Sequence, residues 1–314
     1  MKISVIICSH NPREDYLQRT LEGLNKQTLA KNEWELLLVD NASEEPLSAT
    51  VDLSWHPHGK HIKEEELGLT PARLCGMHAA ESELLVFVDD DNILNPDYLE
   101  HAVNLAENYP RIGAFGGSSI GEFESEPAED IQCMIKFMAI QTVAETTWAR
   151  LPGTKALHAA PVGAGMVVRK SVAMNYAQKV NSDPLRRQLD RVGTKFSSCG
   201  DTDMVFCSYE EGFGIGLFPE LVLTHLIPRG RLEKEYLLKL AEGIAYSFTI
   251  LTYLWDRKLP AAPAARSERL LNAYQTIRAR MRNGANDSFA QRVNNVRRKA
   301  VLEARQHLLD MKDN

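Results

Sequence analysis

Three consecutive acids, Asp89, Asp90 and Asp91, come directly after the apolar run Leu84–Val88. A continuous apolar run of this length indicates a buried strand of a parallel sheet, covered on both faces. The acids then lie at the carboxyl end of a strand, where open α/β sheets bind ligands. Oxygen ligands favour Mg²⁺ or Mn²⁺ shared with a substrate phosphate, so we predict a divalent metal site here. An acidic turn that caps the next helix is the alternative.

Other acids also stand at the ends of predicted elements. Asp40 ends the apolar run Trp34–Val39, at the position where a nucleotide's base or ribose is commonly held. A helix N-cap is the alternative for Asp40. Asp201 and Asp203 precede a helix-like run, and we expect one of them to cap it. Two acids are more than a cap requires, which makes Asp201 a candidate for a chemical role.

Arg73 lies in the first turn of a predicted helix, after a turn at Gly68 and with Thr70 as the N-cap. A cation at this position opposes the helix dipole. A bound phosphate or carboxylate would offset that cost, so Arg73 is a candidate ligand-binding residue. Packing of Arg73 against Asp40 or Asp89 is the alternative.

Three further patterns involve histidine or glycine. His225 ends a strand-like run shortly before Arg231, which fits a metal and diphosphate site or, equally, a structural histidine. Gly163 and Gly165 precede a β-branched run and suit close approach of the backbone to a ligand. Neither a P-loop nor a GxGxxG pattern is present there. The cluster of three histidines is interpreted as a surface loop or edge strand rather than a metal site, because it lacks cysteine or carboxylate at ligand spacing. These histidines are His56, His58 and His61.

Strand and helix patterns alternate along the first half of the chain, which predicts βαβ units and a mostly parallel sheet flanked by helices. Strands are predicted over 3–8, 34–40, 84–88, 112–117, 215–218 and 221–225, and helices over 15–27, 70–80 and 97–107. The acidic, proline-containing stretch 122–130 is a candidate mobile loop. The fold class is therefore α/β.

The composition of the 314 residues is that of an ordinary globular protein, with 44% hydrophobic and 25% charged residues. Five scattered cysteines without a CxxC pair indicate reduced thiols and a cytoplasmic location. Met1 and Lys2 lead directly into a strand-like run, so we expect no signal peptide. No stretch of about 18 uninterrupted apolar residues is present, so we expect no membrane-spanning helix.

The chain changes character after residue 231. Residues 1–231 carry the α/β pattern, whereas 232–314 read as a helical extension with a linker over 260–265 and a break near 283–284. From Asp256 to the end, 13 Lys/Arg and 6 Asp/Glu give +7, so with a net charge of −6 the first 255 residues carry −13. The extension is a candidate for membrane association or for oligomerisation, and a solvated helical face is the alternative for its basic part.

These motifs together resemble those of family 2 glycosyltransferases with the GT-A fold. The resemblance covers residues 1–231, with six motifs in the family's order. They are Ile3–Ile7 followed by Ser9-His10-Asn11, Leu38–Ser43, Gly68-Leu69 with Ala72-Arg73, Phe87–Asn92, Gly200–Met204, and His225 with Arg231. Gly200 stands where the family has Glu, so the resemblance supplies no second acid beside Asp201.

The resemblance implies an inverting glycosyltransferase with Asp201 as general base and a DXD-bound Mn²⁺ or Mg²⁺. The implied metal ligands are Asp91, Asp89 and His225, and whether Asp89 or Asp90 is the second DXD acid stays open. Contacts to the nucleotide sugar are implied for Cys8, Ser9, His10, Asp40, Arg73, Asp89, Asp90, Gly165 and Arg231. The implied donor is a nucleotide diphosphate sugar, with UDP favoured, and the acceptor a hydroxyl of a saccharide or lipid-linked molecule.

The implied setting is polysaccharide, lipopolysaccharide or glycolipid synthesis, in the cytoplasm or at the inner face of the membrane. A homo-oligomer is compatible with this reading, and no nucleic-acid partner is expected. A nucleotidyltransferase of related fold and a catalytically inactive GT-A scaffold are the rival hypotheses. The first would release pyrophosphate rather than a nucleoside diphosphate, and the second would not hydrolyse a nucleotide sugar at all.

Overall fold

The computed structural model describes residues 1–191, 196–260 and 288–311, and its strands form one sheet. The strands are β1 (Ile3–Ser9), β2 (Trp34–Asn41), β3 (Gly59–Glu64), β4 (Leu84–Val88), β5 (Asn92–Leu94), β6 (Ile112–Phe123), β7 (Thr147–Ala149), β8 (Val167–Arg169) and β9 (Gly214–Ile227). The helices are α1 (Glu14–Asn25), α2 (Leu47–Thr50), α3 (Leu69–Ala79), α4 (Tyr98–Asn108), α5 (Gln132–Ile135), α6 (Lys170–Ser182), α7 (Gly200–Glu210), α8 (Lys234–Asp256) and α9 (Phe289–Asp310).

The sheet has the strand order β3-β2-β1-β4-β8-β6-β9-β5, and β7 pairs with β9 at one side. Strand β1 is parallel to β2 and β4, and β2 is parallel to β3. Strand β8 is antiparallel to both β4 and β6, while β6 and β9 are parallel. The predicted α/β class is confirmed, and the antiparallel strands make the second half of the sheet mixed.

Helices cover both faces of the sheet, which explains why its central strands are apolar without interruption. Along β1, Ile6 packs into a layer with residues of α3, α6 and α7, whereas Val5 and Ile7 pack into a layer with α1 and α4. Alternate residues of a strand face opposite sides of the sheet, so both faces need apolar side chains here.

Several predicted boundaries differ from the observed ones. Helix α3 begins at Leu69 with Gly68 at the N-cap, so the prediction of Thr70 as N-cap is wrong. Strand β6 continues to Phe123, and Glu122 pairs with Arg19 at 2.7 Å, so the predicted mobile loop begins too early. His61 lies on the edge strand β3, as predicted. His56 lies in the irregular segment before β3 and is buried, with its ring centroid 4.0 Å from that of Trp34.

The C-terminal helices pack on the α/β body. Ile250, Leu251 and Leu254 of α8 and Leu308 of α9 belong to the same buried cluster as Ile6 of β1. By length and composition alone, helix α8 could span a membrane, and 56% of its apolar window is buried inside the protein. The expectation of no membrane-spanning helix stays a prediction. The predicted linker beyond residue 260 and the break near 283–284 lie outside the described residues.

Candidate active site

A cavity of about 550 Å³ opens at the carboxyl ends of β1 and β4, between the sheet and the start of α7. All but two of the site residues predicted from the sequence line it. Those that do are Cys8, Ser9, His10, Arg73, Asp89, Asp90, Asp91, Asp201, His225 and Arg231. The acids after β4 and the separate Asp201, which are more than 100 positions apart, therefore face one space.

One wall of the cavity is the acid corner, which we define as Asp89, Asp90 and Asp91. Strand β9 and the turn after it bring His225 and Arg231 to it, because β5 and β9 pair in a register that places Asn92 opposite His225. Arg231 Nη1 lies 3.0 Å from Asp91 Oδ2, and His225 Nε2 lies 3.4 Å from Asp91 Oδ1. The hydroxyl of Ser9 donates to Asp90.

The three acids have different electrostatic environments. Burial and the charge of Asp91 raise the pKa of Asp90 to about 7. The same two causes raise the pKa of Asp89. Burial also acts to raise the pKa of Asp91, but its hydrogen bond to His225 and the charges of His225 and Arg231 lower that pKa overall. Asp91 is therefore the acid most fully ionised at neutral pH, as a metal ligand must be.

The donor set of this wall fits a divalent cation. Asp89, Asp91 and His225 offer carboxylate oxygens and an imidazole nitrogen, which suit Mn²⁺ or Mg²⁺. Among the described residues, the buried Nδ1 of His225 has no hydrogen-bond partner, and Arg231 Nη1 lies 3.2 Å from Nε2. Within the described ranges, no group of three or more His, Cys, Asp or Glu side chains is arranged to hold a metal ion by itself.

Across the cavity, Asp201 lies in the first turn of α7. Its Oδ2 accepts a hydrogen bond from the backbone N–H of Gly163 at 2.9 Å, and its Oδ1 accepts from that of Thr202 at 2.7 Å. A Cβ atom on Gly163 would lie 2.9 Å from Asp201 Oδ2 and 3.1 Å from Arg73 Nη2, so only glycine permits this approach. Burial raises the pKa of Asp201, although Arg73 and the two N–H groups oppose the rise.

Arg73 is buried beside Asp201, and its ion-pair partner is Asp190, with 3.4 Å between Nη1 and Oδ2. Among the described residues neither Asp40 nor Asp89 forms an ion pair with it at contact distance, although the charge of Asp89 also acts on Arg73. Asp190 was not predicted from the sequence. It is a single acid in an irregular segment, and no motif or periodicity marks it.

The opposite end of the cavity is formed by β1 and β2. His10 Nδ1 lies 2.8 Å from the backbone oxygen of Asn41, which requires that this nitrogen carries the proton and donates. Asn41 also lines the cavity, and its side-chain oxygen accepts from the N–H of Gly68 at 2.8 Å. Burial raises the pKa of the Cys8 thiol to about 12, so Cys8 contributes a neutral surface.

Two predicted ligand-binding residues do not line the cavity. Asp40 accepts hydrogen bonds from the N–H groups of Ser43 at 3.1 Å and Leu47 at 2.9 Å, so it stabilises the turn into α2. The N-cap of that helix is Pro46, so the alternative of Asp40 as a helix N-cap is wrong. Gly165 has φ of +70°, and a Cβ there would meet Leu223 and Tyr98. Its neighbour Gly163 is the glycine that faces the site.

The model of the family described as "Glycosyl transferase family 2" matches residues 4–175, which is more than half of the chain. The chain belongs to this family. The matched range includes the acid corner, Arg73 and the Gly163 loop, whereas Asp201, His225 and Arg231 lie beyond it.

Curated relatives match in part. The chain is 26% identical over 132 residues to the glucosyl-dolichyl phosphate glucuronosyltransferase of Haloferax volcanii. The matched stretch covers 41% of this chain and 42% of that protein. It is 29% identical over 112 residues to the poly(ribitol-phosphate) β-N-acetylglucosaminyltransferase TarS of Staphylococcus aureus, with 35% and 19% covered. The chain thus matches less than half the length of these relatives.

Solved structures agree on the fold. A crystal structure of S. aureus TarS in complex with UDP-GlcNAc has a TM-score of 0.52 at 18% identity, covering 79% of this chain and 66% of that one. Another TarS structure covers 97% of this chain and 89% of that one, with a TM-score of 0.50 and 17% identity. The predicted GT-A fold of this family 2 member is thereby confirmed.

The α7 motif of this family member departs from the expected capping pattern. The helix begins at Gly200 and its N-cap is Cys199, so neither Asp201 nor Asp203 is the N-cap. Asp203 instead accepts hydrogen bonds from Arg186 and from Trp255 Nε1 and is fully buried. Asp203 therefore joins α7 to α8, and Asp201 is the acid of the motif that faces the cavity.

Proposed function

We propose that this protein is an inverting glycosyltransferase that moves a sugar from a nucleotide diphosphate sugar, with UDP favoured, to an acceptor hydroxyl. The observation that carries the proposal is the placement of Asp201 on the same cavity as the acid corner, held by the N–H groups of Gly163 and Thr202. A carboxylate fixed in this way, with a raised pKa, is suited to accept a proton.

The acid corner and its neighbours would bind the donor. Asp91, with Asp89 and His225, would hold Mn²⁺ or Mg²⁺, which when bound supplies neutralisation of the diphosphate's charge. Arg231, which already faces Asp91, adds a cation near the same position. Ser9 and His10, at the end of β1, and Asn41, at the end of β2, border the cavity where the nucleoside would lie. UDP is favoured because the fold neighbour TarS has been crystallised with UDP and with UDP-GlcNAc.

The reaction that this arrangement suits is a single displacement. The acceptor oxygen forms a bond to the anomeric carbon of the sugar while the bond from that carbon to the diphosphate oxygen breaks. The proton of the acceptor hydroxyl passes to Asp201, and the electron pair of the broken bond stays on the nucleoside diphosphate. Attack from the face opposite the leaving group inverts the anomeric configuration. Arg73 and Arg231 lie on the cavity wall as cations.

Relatives and the extension support a proposal for the acceptor class and the location. One relative is named for a dolichyl phosphate substrate and another for poly(ribitol phosphate). We extend this to a saccharide or lipid-linked acceptor in polysaccharide, lipopolysaccharide or glycolipid synthesis on the cytoplasmic side of the membrane. Arg297, Arg298 and Lys299 of α9 give the extension cationic groups that would favour an anionic surface or a second copy.

The proposal is tested by the products. A panel of nucleotide sugars is first screened for thermal stabilisation with and without Mn²⁺. The stabilising donor is then incubated with saccharide and lipid-linked acceptors, and the released nucleotide and the anomeric configuration are determined. We expect a nucleoside diphosphate and an inverted linkage. Release of pyrophosphate would establish nucleotidyl transfer instead. If no donor stabilised the protein and none was slowly hydrolysed, the inactive scaffold would be the remaining hypothesis.

A further inference from the structure

Gly200 has no room for a side chain, because another residue already occupies that space. A Cβ atom built on Gly200 would lie 2.3 Å from Asp190 Cγ and 2.3 and 2.4 Å from its two carboxylate oxygens. Real Cβ atoms do not make contacts this short with a fixed group. The carboxylate of Asp190 therefore occupies the volume into which residue 200, a glutamate in the resembled family, would project.

Asp190 is held firmly in that volume. It is 4% exposed, and its Oδ2 accepts a hydrogen bond from Thr70 Oγ1 at 2.9 Å. The backbone on either side of it is also fixed. The N–H of Cys199 donates to the carbonyl of Leu189 at 2.8 Å, and that of Leu69 donates to the carbonyl of Arg191 at 3.2 Å. The segment around Asp190 is thus tied both to the start of α3 and to the start of α7.

Arg73 lies between Asp190 and Asp201. Its Nη1 lies 3.4 Å from Asp190 Oδ2. Its Nη2 and Asp201 Oδ2 both border the place where a Cβ atom on Gly163 would lie, at 3.1 and 2.9 Å from it. A buried arginine with a single carboxylate neighbour would pair with it and stabilise its charged form. Here the charge of the single guanidinium acts on the carboxylates of both Asp190 and Asp201.

We propose that Asp190 supplies, from a different segment of the chain, the carboxylate that Gly200 lacks, and that it is a positioning residue which keeps Arg73 from neutralising Asp201. The proposal rests on the proposed role of Asp201 as the general base. In this arrangement Asp190 and Gly200 form a matched pair, since the glycine makes the space that the aspartate fills.

The electrostatics around Asp201 agree with this assignment. The charged side chains that act on it are Arg73 from α3, which lowers its pKa, and Asp190 from the preceding segment, which raises it. Burial is the largest cause of the raised pKa, and the N–H groups of Gly163 and Thr202 oppose it. The charge of Asp89 also acts on Arg73. Removal of the charge of Asp190 would take away the anionic neighbour that raises the pKa of Asp201, so that pKa would fall.

The kinetic test replaces the charge and keeps the shape, in the variant Asp190→Asn. We expect kcat for sugar transfer to fall about tenfold or more with KM for the donor within about twofold, and the acid limb of the kcat profile to move to lower pH by about one unit. Asp183→Asn is the control, because Asp183 accepts from the N–H of Leu185 in the same segment but does not contact Arg73. Wild-type kcat and an unshifted acid limb in Asp190→Asn would overturn the proposal.

The geometric test has a stability measurement, which needs no substrate, and a rescue measurement, which uses the transfer reaction. Gly200→Ala should lower Tm by about 4 °C or more in the wild type, and by less than half as much in an Asp190→Gly background. Gly200→Glu in the Asp190→Gly background should regain at least fivefold in kcat over Asp190→Gly alone. Equal losses of Tm in both backgrounds would show that Asp190 does not occupy the space at residue 200. A wild type without any transfer would contradict the proposed function, while the Tm comparison would still decide this pairing.

Discussion

The cavity has two acidic walls that are built in opposite ways. The acid corner consists of three consecutive residues at the end of one strand, and its partners, His225 and Arg231, come from β9 and the turn after it. The other wall joins Asp190 and Asp201 through one arginine, Arg73, which lies 117 positions before Asp190 in the chain. The acid corner thus brings three carboxylates together, whereas the second wall combines two carboxylates with a cationic arginine.

This difference explains what each wall can do. Adjacent carboxylates at a strand end attract a cation and, through it, a phosphate. A carboxylate that has both a cationic and an anionic neighbour, and whose pKa is raised by burial, is better suited to exchange a proton. We therefore assign binding of the donor to the acid corner and the proton transfer to Asp201.

The largest effect is expected for Asp201→Asn. The amide cannot accept the acceptor's proton, so kcat should fall by about 10³-fold, while affinity for the nucleoside diphosphate changes less than about twofold. Initial rates of nucleotide release and calorimetric titration measure the two quantities. A kcat near that of the wild type would remove Asp201 from the role of base.

A smaller loss is expected for Arg231→Lys. The guanidinium contacts both Asp91 and His225, and an ammonium cannot reproduce that geometry. We expect kcat/KM for the donor to fall about tenfold. Arg229→Lys is the matched control, because within the described part of the chain the hydrogen bond of Arg229 is made by its backbone N–H, which donates to Glu124. If Arg229→Lys lowered kcat/KM as much as Arg231→Lys, the loss would not come from the contact of Arg231 at the acid corner.

Asp203→Asn separates structure from chemistry within α7. Asp203 is buried between Arg186 and Trp255, so loss of its charge should lower the free energy of unfolding by about 3 kcal/mol. Transfer per folded molecule should stay within about threefold of the wild type. Chemical denaturation and active-site titration check this. A stable Asp203→Asn variant that was inactive would mean that the two acids of α7 share the chemistry.

The pH profile is expected to show the raised pKa of Asp201. Only the carboxylate accepts a proton, so kcat rises as pH rises through the pKa of Asp201. Because burial raises that pKa, activity should begin to fall on acidification above the ordinary aspartate range of about 4. Measurement of kcat at saturating donor from pH 4 to 8 tests this, and a profile flat down to pH 4.5 would contradict it.

The same difference between the walls governs what the sequence could reveal. The acid corner, β1 and β2 were predicted with nearly correct bounds because consecutive residues and strand ends carry the signal. The sequence also marked Asp201, because it lies in a motif. Asp190 could not be found, because its role arises from a contact with Gly200 and Arg73 that only the folded chain creates. Asp40 shows the converse, since its position fitted a ligand while its carboxylate is used by the turn before α2.

The division between the two walls is tested most directly by calorimetric titration of UDP, with and without Mn²⁺, into the wild type, Asp91→Ala and Asp201→Asn. We predict that Mn²⁺ tightens UDP binding at least about tenfold in the wild type and in Asp201→Asn, and has no effect in Asp91→Ala. An undiminished Mn²⁺ effect in Asp91→Ala, or its loss in Asp201→Asn, would contradict the assignment of metal and nucleotide to the acid corner.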